Sequence, residues 1–221
     1  IRARQLLADG AIGSVRHALF RVIGNSRADL SRPWNWWSDA ARGGGALGAY
    51  GSHQIDLLRF LLQSEVAEVA ATLHTFIAER PAENGLRPVT SDDYYSLRLR
   101  FANGALATIE CSAVARTQEP NSLTLYGAGG SLRWLGGALH HAEASSDFRD
   151  ITPTAIHALP AGLQGDFPHG TVYLAHALSS YLRGDAGALA LGATFADGLS
   201  NQRVLDAARE SERQGGRYIA L

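Results

Sequence analysis

Apolar and polar positions alternate along several segments of this chain with the period of two that is typical of β-strands. The clearest segment has apolar side chains at positions 95, 97, 99 and 101 and polar ones between them. Asn103-Gly104 then predicts a tight hairpin turn, because both residues tolerate the positive φ that a two-residue turn demands. On similar grounds we predict strands at residues 14–23, 66–77, 105–113, 123–126, 131–135 and 218–221.

Apolar positions spaced by three and four residues predict helices elsewhere in the chain. We predict helices at 1–10, 45–61, 170–183 and 195–214, with glycines marking several of their ends. The segments 25–42, 79–90 and 136–167 are expected to be irregular. Strands paired in hairpins, with helices set apart from them, predict an α+β fold with a mainly antiparallel sheet. No internal repeat or long linker is visible, so we predict a single domain over 1–221.

The composition excludes several classes of protein. A net charge of -1 argues against a nucleic-acid-binding protein, and no apolar run approaches the ~20 residues of a membrane span. Cys111 is the single cysteine, so an internal disulfide is excluded and a reducing, cytoplasmic setting is expected. Methionine and lysine are both absent. We therefore expect the chain to be part of a longer protein that supplies any lysine-dependent step.

The glycine-rich segment 43–48 matches the dinucleotide-binding pattern G-x-G-x-x-G in letters only. That pattern needs a buried strand before it, and the residues from Trp36 to Arg42 do not form one. The interpretation we favour is that Gly43–Gly45 let the backbone pass close to another part of the fold and then open a helix. A helix start of this kind can also hold a hydroxyl or an anion.

Two groups of side chains could carry chemistry. His53 and Asp56 share one helix face at a spacing of three, where a carboxylate could orient an imidazole that moves a proton near neutral pH. A structural hydrogen bond of a buried histidine is the other interpretation, and two ligands are too few to indicate a metal site. The loop with Trp36, Trp37 and Arg42 could stack on a sugar and grip an anion, or could pack over the sheet.

Asp92 and Asp93 stand at the start of the predicted strand at 95–101. We expect them to cap the preceding turn and to pair with Arg98 or another arginine, rather than to act as catalytic carboxylates.

The run from Gly43 to Asp56 resembles the C-terminal domain of the Gfo/Idh/MocA oxidoreductases. It reads Gly-Gly-Gly-Ala-Leu, followed by Gly51, His53 and Asp56 at fixed spacing. The segments that resemble the family in the same order are 6–13, 101–104, 123–127 and 195–211. The resemblance therefore extends over nearly all of the chain.

The resemblance implies a two-domain parent, an NAD(P)-dependent oxidoreductase that moves a hydride to or from a sugar, polyol or related hydroxy compound. NAD or NADP would be bound mainly by an N-terminal Rossmann domain, which this chain lacks, so the chain alone is expected to be inactive. It would be the substrate-binding and oligomerisation domain, with an open sheet covered by helices on one face. The other face would join subunits into a homo-oligomer, for instance a dimer. No nucleic acid or membrane is expected as a partner.

The family's histidine maps onto His53, which we predict to be catalytic. The residues predicted to bind substrate are Asn35, Trp36, Arg42, Tyr50 and Asp56. Gly45 and Trp37 are predicted to lie on the cofactor's side, and no metal is expected.

One position departs from the family pattern. The aspartate that the family places four residues before the histidine is Ala49 here. His53 then acts with the missing lysine alone, or Asp39 or Asp56 substitutes for the lost carboxylate. Otherwise the parent uses an unusual substrate or has lost activity. The alternative function is accordingly a non-catalytic metabolite-binding or scaffold module.

Overall fold

The computed structural model describes residues 1–155, 157–160, 162–163 and 165–221. Its contacts divide these residues into two compact units. The first comprises Ile1–Thr152 with Leu199–Leu221, and the second comprises Pro153–Gly198. The single domain that the sequence predicts stays a prediction, because a division of contacts does not decide whether the second unit folds independently.

The first unit contains a sheet with helices α1 (Arg2–Ala8) and α2 (Ser52–Leu62). A short π-helix, Leu47–Gly51, runs directly into α2. The second unit contains α3 (Asp166–Leu182), and α4 (Phe195–Arg213) begins in the second unit and ends in the first. The strands are β1 (Val15–Ile23), β2 (Val66–His74), β3 (Glu79–Ala82), β4 (Gly85–Pro88), β5 (Tyr94–Phe101), β6 (Leu106–Ser112), β7 (Ser122–Gly127), β8 (Gly130–Leu135), β9 (Ala138–Glu143), β10 (Arg149–Asp150) and β11 (Ile219–Ala220).

The main sheet has nine strands in the order β10-β9-β8-β7-β1-β6-β5-β2-β11. β1 and β6 pair in parallel, and the other neighbouring strands in this order pair antiparallel. β3 and β4 form a separate two-stranded hairpin. The predicted α+β fold with a mostly antiparallel sheet is therefore confirmed.

One face of the sheet builds the core. Tyr95, Leu97 and Leu99 on β5 are buried, while Arg98 and Arg100 between them are exposed. β6 alternates in the same way, and the buried positions of both strands join those of α2 and α4 in one hydrophobic cluster. The periodicity of two thus arises because one side of each strand faces the helices and the other side faces away from them.

The predicted turn at Asn103-Gly104 exists, but its geometry differs from the expected one. Gly104 has φ +88°, whereas Asn103 is not among the described residues with positive φ. The Gly104 N–H donates to the Phe101 carbonyl at 2.9 Å and the Phe101 N–H donates to the Ala105 carbonyl at 2.9 Å. This is the pattern of a longer hairpin loop with a glycine bulge. Asn103 stabilises it by accepting from the Ala105 N–H at 3.1 Å.

Two segments that we expected to be irregular contain strands. Residues 79–90 hold β3 and β4, and residues 136–167 begin with β9 and β10. The missed signal for β9 is Gly136-Gly137, whose φ angles of +56° and +97° are both positive. This pair makes a two-residue turn between β8 and β9, which is the kind of turn that the sequence predicts at Asn103-Gly104.

Among the described residues, no helix is long and apolar enough to cross a membrane.

Candidate functional site

The glycine-rich segment packs tightly against the rest of the first unit. A Cβ atom on Gly44 would lie 2.3 Å from the Trp37 carbonyl oxygen. Gly45 has φ +113°, and a Cβ atom there would lie 2.3 Å from Oδ1 of Asp92. Both distances are below van der Waals contact, so only glycine fits at these two positions. The close approach that we expected of this segment is therefore an approach to other residues of the same chain.

Asp92 fixes the backbone that follows these glycines. Its Oδ2 accepts from the Leu47 N–H at 2.7 Å, and its main-chain carbonyl accepts from the Ala46 N–H at 2.9 Å. Burial raises the pKa of the Asp92 carboxyl to about 6, because desolvation outweighs the Leu47 hydrogen bond and the attraction of Arg209. The carboxyl therefore titrates between acidic and neutral pH while it holds the start of the π-helix.

The π-helix carries Tyr50 and leads into the part of α2 that carries His53. Single π-helical turns at the start of an α-helix occur frequently at functional sites. A Cβ atom on Gly51 would lie 2.9 Å from Cδ1 of Leu47 and 3.4 Å from the Tyr95 hydroxyl. That hydroxyl donates to Oε1 of Gln54. The backbone at this junction is therefore held from beneath by β5.

His53 and Asp56 lie on α2 as the sequence predicts. The His53 side chain is exposed rather than buried. Oδ1 of Asp56 accepts from Nδ2 of Asn201 at 3.2 Å and lies 3.6 Å from a guanidinium nitrogen of Arg59. Asp56 therefore has partners on α2 and α4 that hold its carboxylate, and its predicted role toward a substrate stays a prediction.

The tryptophan loop divides into exposed and buried parts. Asn35 accepts from the Trp37 N–H at 3.1 Å, which starts a short 3-10 turn, and Trp36 beside it is 55% exposed. Arg42 is exposed as well and lies 3.5 Å from an Asp39 carboxylate oxygen. Trp37, in contrast, is buried in the core cluster. Asn35, Trp36 and Arg42 are therefore available to a ligand, and their binding role stays a prediction.

The sequence reasoning overlooked a group of arginines beside this loop. Arg27 is 8% exposed, and its guanidinium lies 3.9 Å from the centre of the Trp37 ring. Arg80 is buried too and donates to the carbonyls of Asp29 and Arg27. Arg27 stands in a short polar stretch that resembles an ordinary loop, so no local pattern distinguishes it.

The two neighbouring aspartates have separate roles. Asp93 accepts from the N–H groups of Phe76 and Ile77 at 2.8 and 2.9 Å, so it holds the segment that follows β2 rather than the turn just before β5. The predicted pairing with Arg98 is wrong, because Arg98 donates to the Gly216 carbonyl at 3.3 Å. Arg98 therefore bonds to the segment that precedes β11. Burial and the charge of Arg32 lower the pKa of Arg80, and the nearby charge of Asp93 opposes that shift.

The segment 43–48 does not fit the pyrophosphate of a dinucleotide. The open side of Gly45 is filled by the Asp92 carboxyl, which carries negative charge above pH 6 and would repel a phosphate. Trp37 is covered by Arg27 and does not offer a free ring face. Both residues have a role inside the fold, and the cofactor contacts predicted for them stay predictions.

The fold and this arrangement define a class of α+β domain. Helices cover one face of its sheet, and the helix that carries an exposed histidine follows a tightly packed glycine-rich segment. Residues 1–133 match the family described as the GFO/IDH/MocA C-terminal domain. The chain belongs to this family. The resemblance drawn from the motifs between Gly43 and Asp56 is thereby confirmed.

Three relatives illustrate what the chain is similar to. Glucose-fructose oxidoreductase domain-containing protein 2 of Bos taurus is 30% identical over 97% of this chain and 59% of that protein. The crystal structure of an oxidoreductase domain protein from Kribbella flavida is 30% identical, with a TM-score of 0.80 over 99% of this chain and 62% of that one. Levoglucosan dehydrogenase in complex with NADH and levoglucosan is 26% identical, with a TM-score of 0.83 and the same coverage. The chain thus spans about three fifths of the length of these relatives.

Proposed function

We propose that the chain is the substrate-binding part of an NAD(P)-dependent oxidoreductase that acts on a sugar, polyol or related hydroxy compound. The observation that carries the proposal is the family match together with the exposed His53 at the junction of the π-helix and α2. The likeness to an enzyme studied with NADH and a sugar derivative supports the same class of reaction.

In this proposal His53 is the proton carrier. An imidazole has an ordinary pKa near 6.5, so it can accept a proton from a reacting hydroxyl at neutral pH and return it to a carbonyl oxygen. Tyr50 lies roughly one helical turn before it, where its hydroxyl would contact the same substrate. Trp36, Asn35 and Arg42 would form the outer wall, since all three are exposed beside the glycine-rich segment.

NAD or NADP supplies the hydride acceptor or donor when it is bound. Because the segment 43–48 does not suit a pyrophosphate, we place the dinucleotide on a part of the protein outside this chain. The chain alone is then expected to bind NADH weakly and not to turn over. Micromolar affinity of the isolated 221-residue chain for NADH would contradict this placement.

The uncovered face of the sheet supports association of two copies. Leu19 on β1 and Leu106 on β6 are 43% and 51% exposed, although aliphatic side chains on a sheet usually lie under another layer. The two strands are direct neighbours, so the leucines lie on adjoining strands of the same sheet. We propose a homo-oligomer, such as a dimer, joined through this face. Sedimentation of the chain and of a Leu19→Arg variant would test it, since a buried arginine would dissociate the assembly.

His53→Asn in the full-length protein is the test of the mechanism. Loss of a general acid-base group typically lowers kcat by about 10²- to 10⁴-fold, whereas binding of NADH should not change. His74→Asn, which alters another exposed histidine of the first unit, is the matched control and should keep full turnover. Unchanged kcat in His53→Asn would remove this imidazole from the mechanism.

A second function is favoured by one observation, the alanine at position 49, where the family has a carboxylate. The carboxylate of Asp56 is engaged by Asn201 and Arg59. A non-catalytic module that binds a metabolite would have no need of such a group. Ala49→Asp discriminates the two: in an enzyme it should raise or preserve turnover, and in a binding module it should produce none.

A further inference from the structure

The guanidinium of Arg27 is a buried cation without an anionic partner. The side chain is 8% exposed, and within the described ranges it has no ion pair and no hydrogen bond. Its one contact of note is the ring of Trp37, 3.9 Å away. Arginine stays charged at any pH that a folded protein tolerates, and burying an uncompensated charge is costly. A group this unusual needs either a purely structural role or a ligand.

The surroundings of Arg27 are positive. Burial lowers the pKa of Arg27, and the charges of Arg32 and Arg80 lower it further. The carboxylates of Asp29 and Asp93 oppose the lowering of the Arg80 pKa, and neither is among the groups that affect the pKa of Arg27. Both are also occupied, Asp29 by the main-chain N–H and hydroxyl of Ser31 and Asp93 by two N–H groups. No acid among the residues that the structure describes therefore neutralises this cation.

Hydrogen-bond donors stand beside the charge. The hydroxyls of Ser26 and Tyr50 lie 3.2 Å apart, and Tyr50 is close enough to affect the pKa of Arg27. The nitrogen atoms of Arg27 are not among the described side-chain atoms that are both fully enclosed and without a hydrogen-bond partner, so the guanidinium keeps some access to solvent. A planar guanidinium with free donors matches a carboxylate or a phosphate in geometry as well as in charge.

We propose that Arg27, with the hydroxyls of Ser26 and Tyr50, binds an anionic group of the substrate. Tyr50 joins this position to His53, which is roughly one turn further along the helix. The substrate class is then a hydroxy compound that carries a carboxylate or a phosphate, not a neutral sugar or polyol. This inference rests on the proposed function, because it concerns the substrate of the same site.

The direct test is an NMR titration of the Arg27 Nε–H resonance in the 221-residue chain, assigned with an Arg27→Lys variant. D-Glucuronate, inorganic phosphate, D-glucose and NADH are added separately at constant ionic strength. Glucuronate, phosphate or both should shift the resonance at millimolar concentration, and glucose should not. A response to glucuronate alone indicates a carboxylate substrate, and a stronger response to phosphate indicates a phosphorylated one.

Two outcomes overturn the proposal. No response to either anion at roughly 10 mM would show that Arg27 serves only to pack against Trp37, since such a site would be too weak to select a substrate. A response to NADH at lower concentrations than to glucuronate or phosphate would assign the cation to the cofactor's phosphates.

Calorimetric titration with the responding anion provides the second measurement. Arg27→Gln should weaken binding by about 10- to 100-fold, which is the usual effect of removing a charge-assisted hydrogen bond. Arg21→Gln is the matched control, because Arg21 is exposed and already pairs with Glu110 and Glu119. Should Arg27→Gln fail to fold, Tyr50→Phe, which removes one hydroxyl, should still weaken binding severalfold.

Neither measurement needs turnover. Suppose that the chain binds glucuronate through Arg27 but the full-length protein oxidises no hydroxy compound. This result would refute the proposed dehydrogenase and would still support the anion site. If the full-length enzyme turns over neutral polyols and the Arg27 resonance responds to no anion, the dehydrogenase is supported and the anion site is refuted.

Discussion

Asp92 and Arg27 are two buried ionisable groups in the same unit, and they solve the problem of burial differently. Neither has an ion pair within the described part of the chain. The Asp92 carboxyl can shed its charge, and its pKa of about 6 shows how strongly burial favours the neutral form. The Arg27 guanidinium cannot do so, and it lies against the electron-rich face of Trp37 instead.

The difference explains what each group does. Asp92 has backbone donors aimed at it, so it is part of the scaffold that shapes the glycine-rich segment. Arg27 has unused donors of its own, so it suits an external anion. The buried carboxyl of Asp92 thus has a structural role whose cost in free energy of unfolding depends on pH. The buried guanidinium of Arg27, which has no ion pair among the described residues, suits a binding site. Four substitutions test whether the two groups differ in this way.

Gly45→Ala should have the largest effect. The new methyl group would meet Oδ1 of Asp92 at 2.3 Å in a backbone with φ +113°, so Asp92 and the glycine-rich segment must move apart. We expect the free energy of unfolding to fall by about 3 kcal/mol or more, measured by urea denaturation. Gly43→Ala is the control, since φ is +76° there but nothing lies within 4 Å, and it should cost about 1 kcal/mol. Equal losses in the two variants would contradict this structural role of Asp92.

Asp92→Asn should have a pH-dependent effect. The carboxyl's pKa is raised from 3.8 to about 6 on folding, so the folded state holds its proton more tightly than the unfolded chain does. Wild-type stability should therefore be full below pH 4 and fall as pH rises through 6, by up to ~3 kcal/mol relative to the asparagine variant. Asparagine keeps an acceptor for the Leu47 N–H and has no charge to bury.

Urea denaturation of both proteins at pH 4, 5, 6 and 7 measures this slope. Asp29→Asn is the opposite control, because hydrogen bonds from Ser31 lower the pKa of Asp29. That group stabilises the folded state at neutral pH, and its contribution is lost as pH falls through the lowered pKa. A pH-independent difference between wild type and Asp92→Asn would show that the carboxyl is not desolvated.

Arg27→Met should have a smaller effect without pH dependence. Methionine keeps an unbranched stem against Trp37 and removes the charge. The loss of the cation–π contact, about 1 kcal/mol, is opposed by the relief of a buried charge without a partner, so the net change should be about 1 kcal/mol or less. The value should be the same at pH 5 and pH 8, since the guanidinium does not titrate in that range. A loss of several kcal/mol would indicate a structural role and would weaken the case for an anion site.

Arg100→Gln should have the smallest effect. Arg100 is exposed on β5 and pairs with Glu68 at 2.7 Å, so water already solvates both charges. We expect thermal unfolding of the variant to be indistinguishable from that of the wild type. A clear loss would mean that exposed pairs matter here as much as buried charges do.

Much of the fold could be predicted because local pattern carries it. The alternation along 95–101, the turn after it and the helix that contains His53 are all present. The exact turn geometry was not predictable in the same way. Asn-Gly suits two kinds of hairpin loop, and the hydrogen bonds that choose between them involve Leu62 and Ser64, which belong to another part of the chain. β9 was missed although Gly136-Gly137 was a usable signal.

Less of the candidate site could be predicted. The family motif drew attention to His53, Tyr50 and Gly45, and all three lie along one continuous segment. Arg27 could not be found, because its importance depends on which side chains surround it, and those come from Trp37 and Arg80. The same holds for Asp92, whose sequence context suggests a turn cap and a pair with an arginine.

The periodicity of the strands and helices and the resemblance to the family can be recognised in the amino-acid sequence, because they depend on residue types at short spacings. Which glycines exclude a side chain, and which charged groups lose their water, depends on the folded chain: Gly45 meets Asp92, which is distant in the sequence. Desolvation depends on atoms that are distant in the chain. It raises the pKa of Asp92, and it buries the guanidinium of Arg27, which has no ion pair among the described residues.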